Sequence, residues 1–111
     1  MRYTIKSRIW IEADGHILLG EGRISLLKAI GQTGSLSKAA KSLNMSYKKA
    51  WSLIDAVNAR AKTPVITTSI GGKGGGGAEL TDYGKSLINA FETINKNCWK
   101  FLDKQIAETQ L

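Results

Sequence analysis

Two stretches carry residue types suited to a phosphate-bearing partner. SYKK, Ser46 to Lys49, sets a hydroxyl, a phenol and two ammonium groups side by side. GGKGGGG, Gly71 to Gly77, gathers six of the chain's twelve glycines around Lys73. Lysine brings a point charge to a phosphate, hydroxyl and backbone N–H groups donate to its oxygens, and glycine allows close approach because it has no Cβ. Glycines alone are compatible with a phosphate cradle, a loose linker or the tip of a hairpin, so their neighbours must decide.

The cradle fails against its own motifs. A P-loop needs a lysine followed by serine or threonine for the magnesium ion, and Lys73 is followed by Gly74. Gly72, Gly74 and Gly77 match G-x-G-x-x-G literally, yet the run opens no helix before Thr81 and no parallel strand follows. A free linker would leave the β-branched stretch Val65 to Ile70 without a partner. A hairpin explains both flanks, with one strand over Val65 to Ile70 and a short return strand over Ala78 to Leu80.

The elements that would position these groups follow from periodicity and caps. Tyr3, Ile5, Ile9 and Ile11 alternate with polar residues, which predicts a strand over residues 3 to 12, turned at Asp14-Gly15 and returning over His16 to Leu19. A helix is predicted from about Gly22, with Ile24, Leu27 and Ile30 inward and Gly31 as its stop. Ser35 or Ser37 caps a second helix that turns Leu36, Ala39, Ala40 and Leu43 inward, and Asn44-Met45 leaves room only for a tight corner. Ser46 caps a third helix, with Ala50, Trp51, Ile54, Val57 and Ala61 inward and Tyr47, Lys48, Lys49, Ser52, Asp55 and Ala56 outward. Trp51 reads as a core anchor rather than a base-stacking residue, and Tyr47 fits either role. The paired alanines let the second and third helices cross closely, as a helix-turn-helix requires. Pro64 ends the third helix, and Thr81 with Asp82 in the first turn starts a long last one.

Composition sets the class. The 111 residues form one domain, 42% hydrophobic residues suffice for a core, and the net charge is +7 with an isoelectric point near 9.7. The charge is concentrated: Lys38, Lys41, Lys48, Lys49, Arg60, Lys62 and Lys73 face only Asp55 between Ser35 and Ala78. An ordinary solvated face interleaves its acids, as the last helix does with Glu92, Asp103 and Glu108. Cys98 and His16 are single, which disfavours disulfide frameworks, Cys/His metal sites and His-dependent catalysis. No enzyme, cofactor or metal is expected. MRYTIKSRIWIEADG lacks a signal peptide's apolar run and no stretch approaches the roughly 18 apolar residues of a membrane span, so a cytoplasmic chain without a membrane partner is expected.

LLKAIGQTGSLSKAAKSLNMSYKKAW followed by GGKGGGGAELTDYGK closely resembles the N-terminal DNA-binding domain of the ModE-type molybdate-responsive transcriptional regulators, over essentially the whole chain. Its helix-turn-helix is similar to that of LysR-type regulators. The resemblance implies a winged helix-turn-helix that binds operator DNA as a homodimer, with Ser46, Tyr47 and Lys48 at the start of the recognition helix and Gly71 to Gly77 as the wing. Molybdate-sensing members carry a C-terminal oxyanion module, whereas this sequence runs to Leu111 at the end of its last helix. A short regulator and a fragment both fit, no effector site is evident, and molybdate binding does not carry over.

The expectation is thus an α+β, mainly helical single domain over residues 1–111: an N-terminal β-hairpin, a helix-turn-helix at about 35–61, a glycine-rich wing at about 65–80 and a C-terminal helix at about 81–105. Its partner is double-stranded DNA. Ser46, Tyr47, Lys48, Lys49 and Ser52 face the major groove and adjacent phosphates, Ser35, Ser37 and Lys38 the backbone, and Gly72, Lys73, Gly74 and Gly75 the flanking groove. In the last helix Leu87, Phe91, Ile94, Cys98 and Phe101 recur at spacings of four and three, with Leu102 beside them. That stripe serves either a homodimer or packing on the first helix and hairpin. A protein-interaction module of the same fold is the alternative reading.

Overall fold

The computed structural model describes residues 1–69 and 77–111. Eight elements follow in order: β1 (Ile11–Ala13), β2 (His16–Leu19), α1 (Glu21–Thr33), α2 (Leu36–Ser42), α3 (Tyr47–Arg60), β3 (Ile66–Thr68), β4 (Ala78–Leu80) and α4 (Asp82–Glu108). This is the expected mainly helical α+β arrangement. The expected wing residues Gly72, Lys73, Gly74 and Gly75 lie outside the described residues.

β1 and β2 pair antiparallel around Asp14 and Gly15, both at positive φ, with an irregularity between Ile11 and Glu12. The strand expected over residues 3 to 12 is corrected: the ladder holds only Ile11–Ala13. Ile5, Ser7, Ile9 and Ile11 are half-buried while Lys6, Arg8 and Trp10 are exposed, so the alternation is genuine. A ladder also needs a partner's backbone, and β2 offers only four residues. Ser7 instead meets α4, its Oγ 3.6 Å from Cys98 Sγ.

Gly31 does not stop α1, which continues to Thr33 and ends at Gly34 with φ 70°. A Cβ at Gly31 would lie 2.7 Å from Leu80 Cδ1, so this glycine lets β4 close on the helix. Gly34 then serves twice. Its N–H closes on Ile30 O at 2.8 Å, and its carbonyl accepts Ala78 N–H at 3.0 Å, which ties β4 to the α1–α2 loop.

The core gathers Leu19 from β2, Leu26, Leu27 and Ile30 from α1, Val57 from α3 and Val65 before β3, all fully buried. Ala39 and Ala40 of α2 and Ala50 of α3 are buried too, so small side chains line the corner where these helices pack. Trp51 corrects the sequence reading: it is 47% exposed rather than a core anchor. The buried stripe of α3 is Ala50, Ile54 and Val57, and one residue on from Ala50 rotates Trp51 by about 100°, out of that stripe. Ala61 is the C-cap and only half-buried.

α4 runs 27 residues, about 40 Å at 1.5 Å per residue. Its first half buries Gly84, Ile88 and Phe91, and Lys28 Nζ on α1 meets Glu92 Oε2 at 2.8 Å. Phe91 is only 3% exposed and belongs to the chain's own core, which removes it from the expected dimer seam, and Leu87 packs against the same core. Beyond them Ile94 is 50% and Phe101 60% exposed, while Cys98 and Leu102 are half-buried.

Candidate nucleic-acid interface

The corner between α2 and α3 is built by local hydrogen bonds. Ser35 Oγ accepts the N–H of Lys38 at 3.1 Å and caps α2, so Ser35 and not Ser37 is the cap. At the other end Met45 N–H reaches back to Ala40 O at 2.9 Å and Asn44 N–H to Lys41 O at 3.2 Å. That pair of bonds is a Schellman closure, which needs a left-handed residue; Asn44 takes it at φ 54°. Ser46 Oγ then accepts Lys49 N–H at 3.1 Å and starts α3.

These caps fix what α3 presents. The N–H groups of Tyr47 and Lys48 precede the first intrahelical bond, from Ala50 N–H to Ser46 O, and so remain available at the helix end. The helix dipole adds partial positive charge there. Ser46, Tyr47, Lys48, Lys49 and Ser52 are all exposed, as are Ser37, Lys38 and Lys41 on α2. Ser35 is half-buried, with its hydroxyl engaged by the cap. The expected contact residues of both helices therefore flank one corner, next to a helix N-terminus with no acid in its first turn.

The root of the wing is tied to the same helix. Asn58 Oδ1 accepts Val65 N–H at 2.8 Å, and its Nδ2 donates to Ile66 O at 3.2 Å. From the other side Thr81 donates its hydroxyl to Pro64 O at 2.7 Å and its N–H to Val65 O at 3.0 Å, while Thr81 Oγ1 caps α4 by accepting Gly84 N–H. Ser69 and Gly77 close the hairpin, with Ser69 N–H to Gly77 O at 2.9 Å and Gly77 N–H to Ser69 Oγ at 3.1 Å. Asn58 escaped the sequence reading because an asparagine beside an apolar stripe usually faces water. The available signal was its position next to Ile54 and Val57, seven residues before the apolar Val65-Ile66 pair, whose backbone groups must be satisfied once buried.

At the far end of α3 the Arg23 guanidinium is held below its ordinary pKa, first by burial and then by Arg60 nearby. Arg23 donates to Ile17 O and so fastens the β1–β2 hairpin to α1. Among the described residues no group of His, Cys, Asp or Glu is placed to hold a metal ion, and no helix is long and apolar enough to cross a membrane.

Comparison with known proteins bears on this arrangement. The chain is 46% identical over 84 residues to the molybdenum-pterin-binding protein MopB of Rhodobacter capsulatus, covering 76% of this chain and 31% of that protein. It is 37% identical over 98 residues to the molybdenum transport protein ModE of Azotobacter vinelandii, covering 88% and 36%. With the DNA-binding transcriptional dual regulator ModE of Escherichia coli it shares 46% over 72 residues, 65% of this chain and 28% of that one. The chain spans about a third of the length of these relatives. Residues 22–85, from α1 through the wing root into α4, match the model of the lysR family of bacterial regulatory helix-turn-helix proteins. With its Ser46-capped α3 packed across the Asn44 corner on a slim α2, the chain belongs to that family.

Proposed function

We propose that the chain is a sequence-specific DNA-binding transcriptional regulator and that it grips operator duplex as a homodimer. The observation that carries this reading is the exposed, lysine-bearing N-terminus of α3, capped by Ser46 and free of acids in its first turn. Laid into a major groove, that end brings Tyr47, Lys48, Lys49 and Ser52 to base edges and phosphates. Ser37 and Lys38 reach the backbone from α2, and Ser35 acts by capping that helix. Gly72, Lys73, Gly74 and Gly75 serve the flanking groove, where a tip almost without side chains lies close to sugar and phosphate. The dimer face is the outer side of α4 around Ile94, Cys98, Phe101 and Leu102, supported by the exposure of Ile94 and Phe101. A chain working on bacterial chromosomal DNA acts in the cytoplasm, and this reading assigns it no effector.

Fluorescence anisotropy against random duplex and against fragments upstream of the chain's own gene, across a salt series, tests the proposal. An operator reader keeps one fragment at salt that releases random duplex. Equal, salt-labile binding to every duplex would overturn sequence reading and favour the protein-interaction module.

A further inference from the structure

α3 leaves two aromatic side chains in water where it is most basic. Tyr47 is 57% and Trp51 47% exposed, and their spacing of four stacks them on one side of the helix. The exposed Trp10, by contrast, donates its indole N–H to Glu12 at 2.9 Å; no such bond ties Tyr47 or Trp51 among the described residues. Asn58 stands on the same side of α3, since eleven residues complete about three turns. It holds Val65 and Ile66, so the aromatic pair lies on the flank that turns toward the wing root. Lys48, one position on from Tyr47, points about 100° away on the outer face.

We infer that Tyr47 and Trp51 read the C5 methyl groups of thymine in the major groove, which makes thymine-bearing A·T steps the sequence class that this helix selects. The inference rests on the DNA-binding reading above and adds what is read. The thymine methyl is the one apolar group a base pair shows in the major groove. Arginine, asparagine and glutamine, the side chains that pair bidentately with guanine or adenine edges there, are absent from Tyr47 to Leu53, where Lys48 and Lys49 suit a guanine and the Ser52 hydroxyl discriminates little between bases. An aromatic ring that gives up water against a methyl needs no hydrogen-bond partner, and its lysine neighbours bring charge to the phosphates on either side. A ring packed on deoxyribose, or one covered by a partner protein, would not sense that methyl.

The test starts from the tightest duplex selected out of a random pool and remakes it with deoxyuridine for thymine, one position at a time. Only the methyl is lost. At contacted positions the unaltered protein is expected to bind the uracil duplex about fourfold more weakly per methyl, the equivalent of about 0.8 kcal/mol. Tyr47→Ala or Trp51→Ala is expected to bind the thymine and uracil versions of its contacted position alike. Specific binding by the unaltered protein that ignores every uracil substitution would overturn methyl reading and leave the DNA-binding proposal standing. A uracil penalty undiminished in both variants would assign the methyls to other residues and equally overturn it. If no duplex is enriched over the pool, both readings fall together.

Discussion

The side-chain oxygen of Asn58 accepts the backbone N–H of Val65 at 2.8 Å, so a single amide joins the helix that carries Lys48 to the strand that leads into the wing. Val65 is fully buried, so its N–H lies away from solvent. Asn58→Ala is therefore expected to cost about 1–3 kcal/mol, the penalty for stranding a buried donor. Urea unfolding measures it. A loss under about 0.5 kcal/mol would mean that the wing root is held without Asn58.

Gly84 sets two effects of opposite sign against each other. In an exposed helix interior Gly→Ala gains up to about 1 kcal/mol. Here a Cβ would collide with the Val65 carbonyl oxygen, and Leu80 Cδ2 would lie 3.3 Å away. Backbone cannot step aside as a flexible side chain can, so Gly84→Ala is expected to destabilise by about 1–3 kcal/mol, as overpacking does. A raised melting temperature would show instead that α4 shifts freely against the wing root.

The helix-turn-helix was legible because its signals are local: Ser46 sits at its cap, Ser35 is one of the two serines offered for the other, Ala39 and Ala40 lie at the packed corner, and Asn44 falls in the tight turn between α2 and α3, where it takes positive φ. Thr81 was legible as a cap, but its bond to Pro64 O links residues seventeen apart in sequence, and nothing nearby announces it. The errors share that origin. Gly31 read as a stop because its neighbour Leu80 comes from β4, and Phe91 read as part of a seam because periodicity says that a face is apolar and not what covers it. Trp51 fell just outside the stripe of Ala50, Ile54 and Val57, a rotation that a tally of apolar residues does not resolve.

Asn44 holds the corner at φ 54°, a conformation that costs an ordinary L-residue roughly 1–2 kcal/mol. Asn44→Gly is expected to leave stability within about 0.5 kcal/mol of the unaltered chain, while Asn44→Ala loses about 1 kcal/mol. Denaturation midpoints for the pair decide it. If alanine matched glycine, the left-handed turn would not be what fixes the angle between α2 and α3.

Lys48 is exposed in the first turn of α3 and forms no ion pair among the described residues, so its removal leaves the fold intact. Lys48→Ala is expected to weaken specific duplex binding by about 1–3 kcal/mol if it reads a base edge, with an unchanged urea midpoint. Anisotropy on specific and random duplex separates that role from a phosphate contact, which would weaken both alike and flatten the salt dependence by a slope of roughly one. Unchanged affinity would remove Lys48 from the interface.

Two phenylalanines of α4 separate core from partner surface. Phe91 is 3% exposed, and Phe91→Ala is expected to cost about 3–5 kcal/mol as a large-to-small change in the core. Phe101 is 60% exposed, so within one chain Phe101→Ala removes little packing and is expected to stay within about 0.5 kcal/mol. If the outer face of α4 pairs two copies, the same change raises the concentration at which dimers part, and the unfolding midpoint of the unaltered chain rises with protein concentration where that of the variant does so less. Sedimentation velocity over a dilution series reads the first effect and melting at two concentrations the second. Self-association untouched by Phe101→Ala would move the dimer face off α4, because a ring this exposed at the centre of an interface loses more area on pairing than its neighbours Cys98 and Leu102, which are already half-covered within the chain.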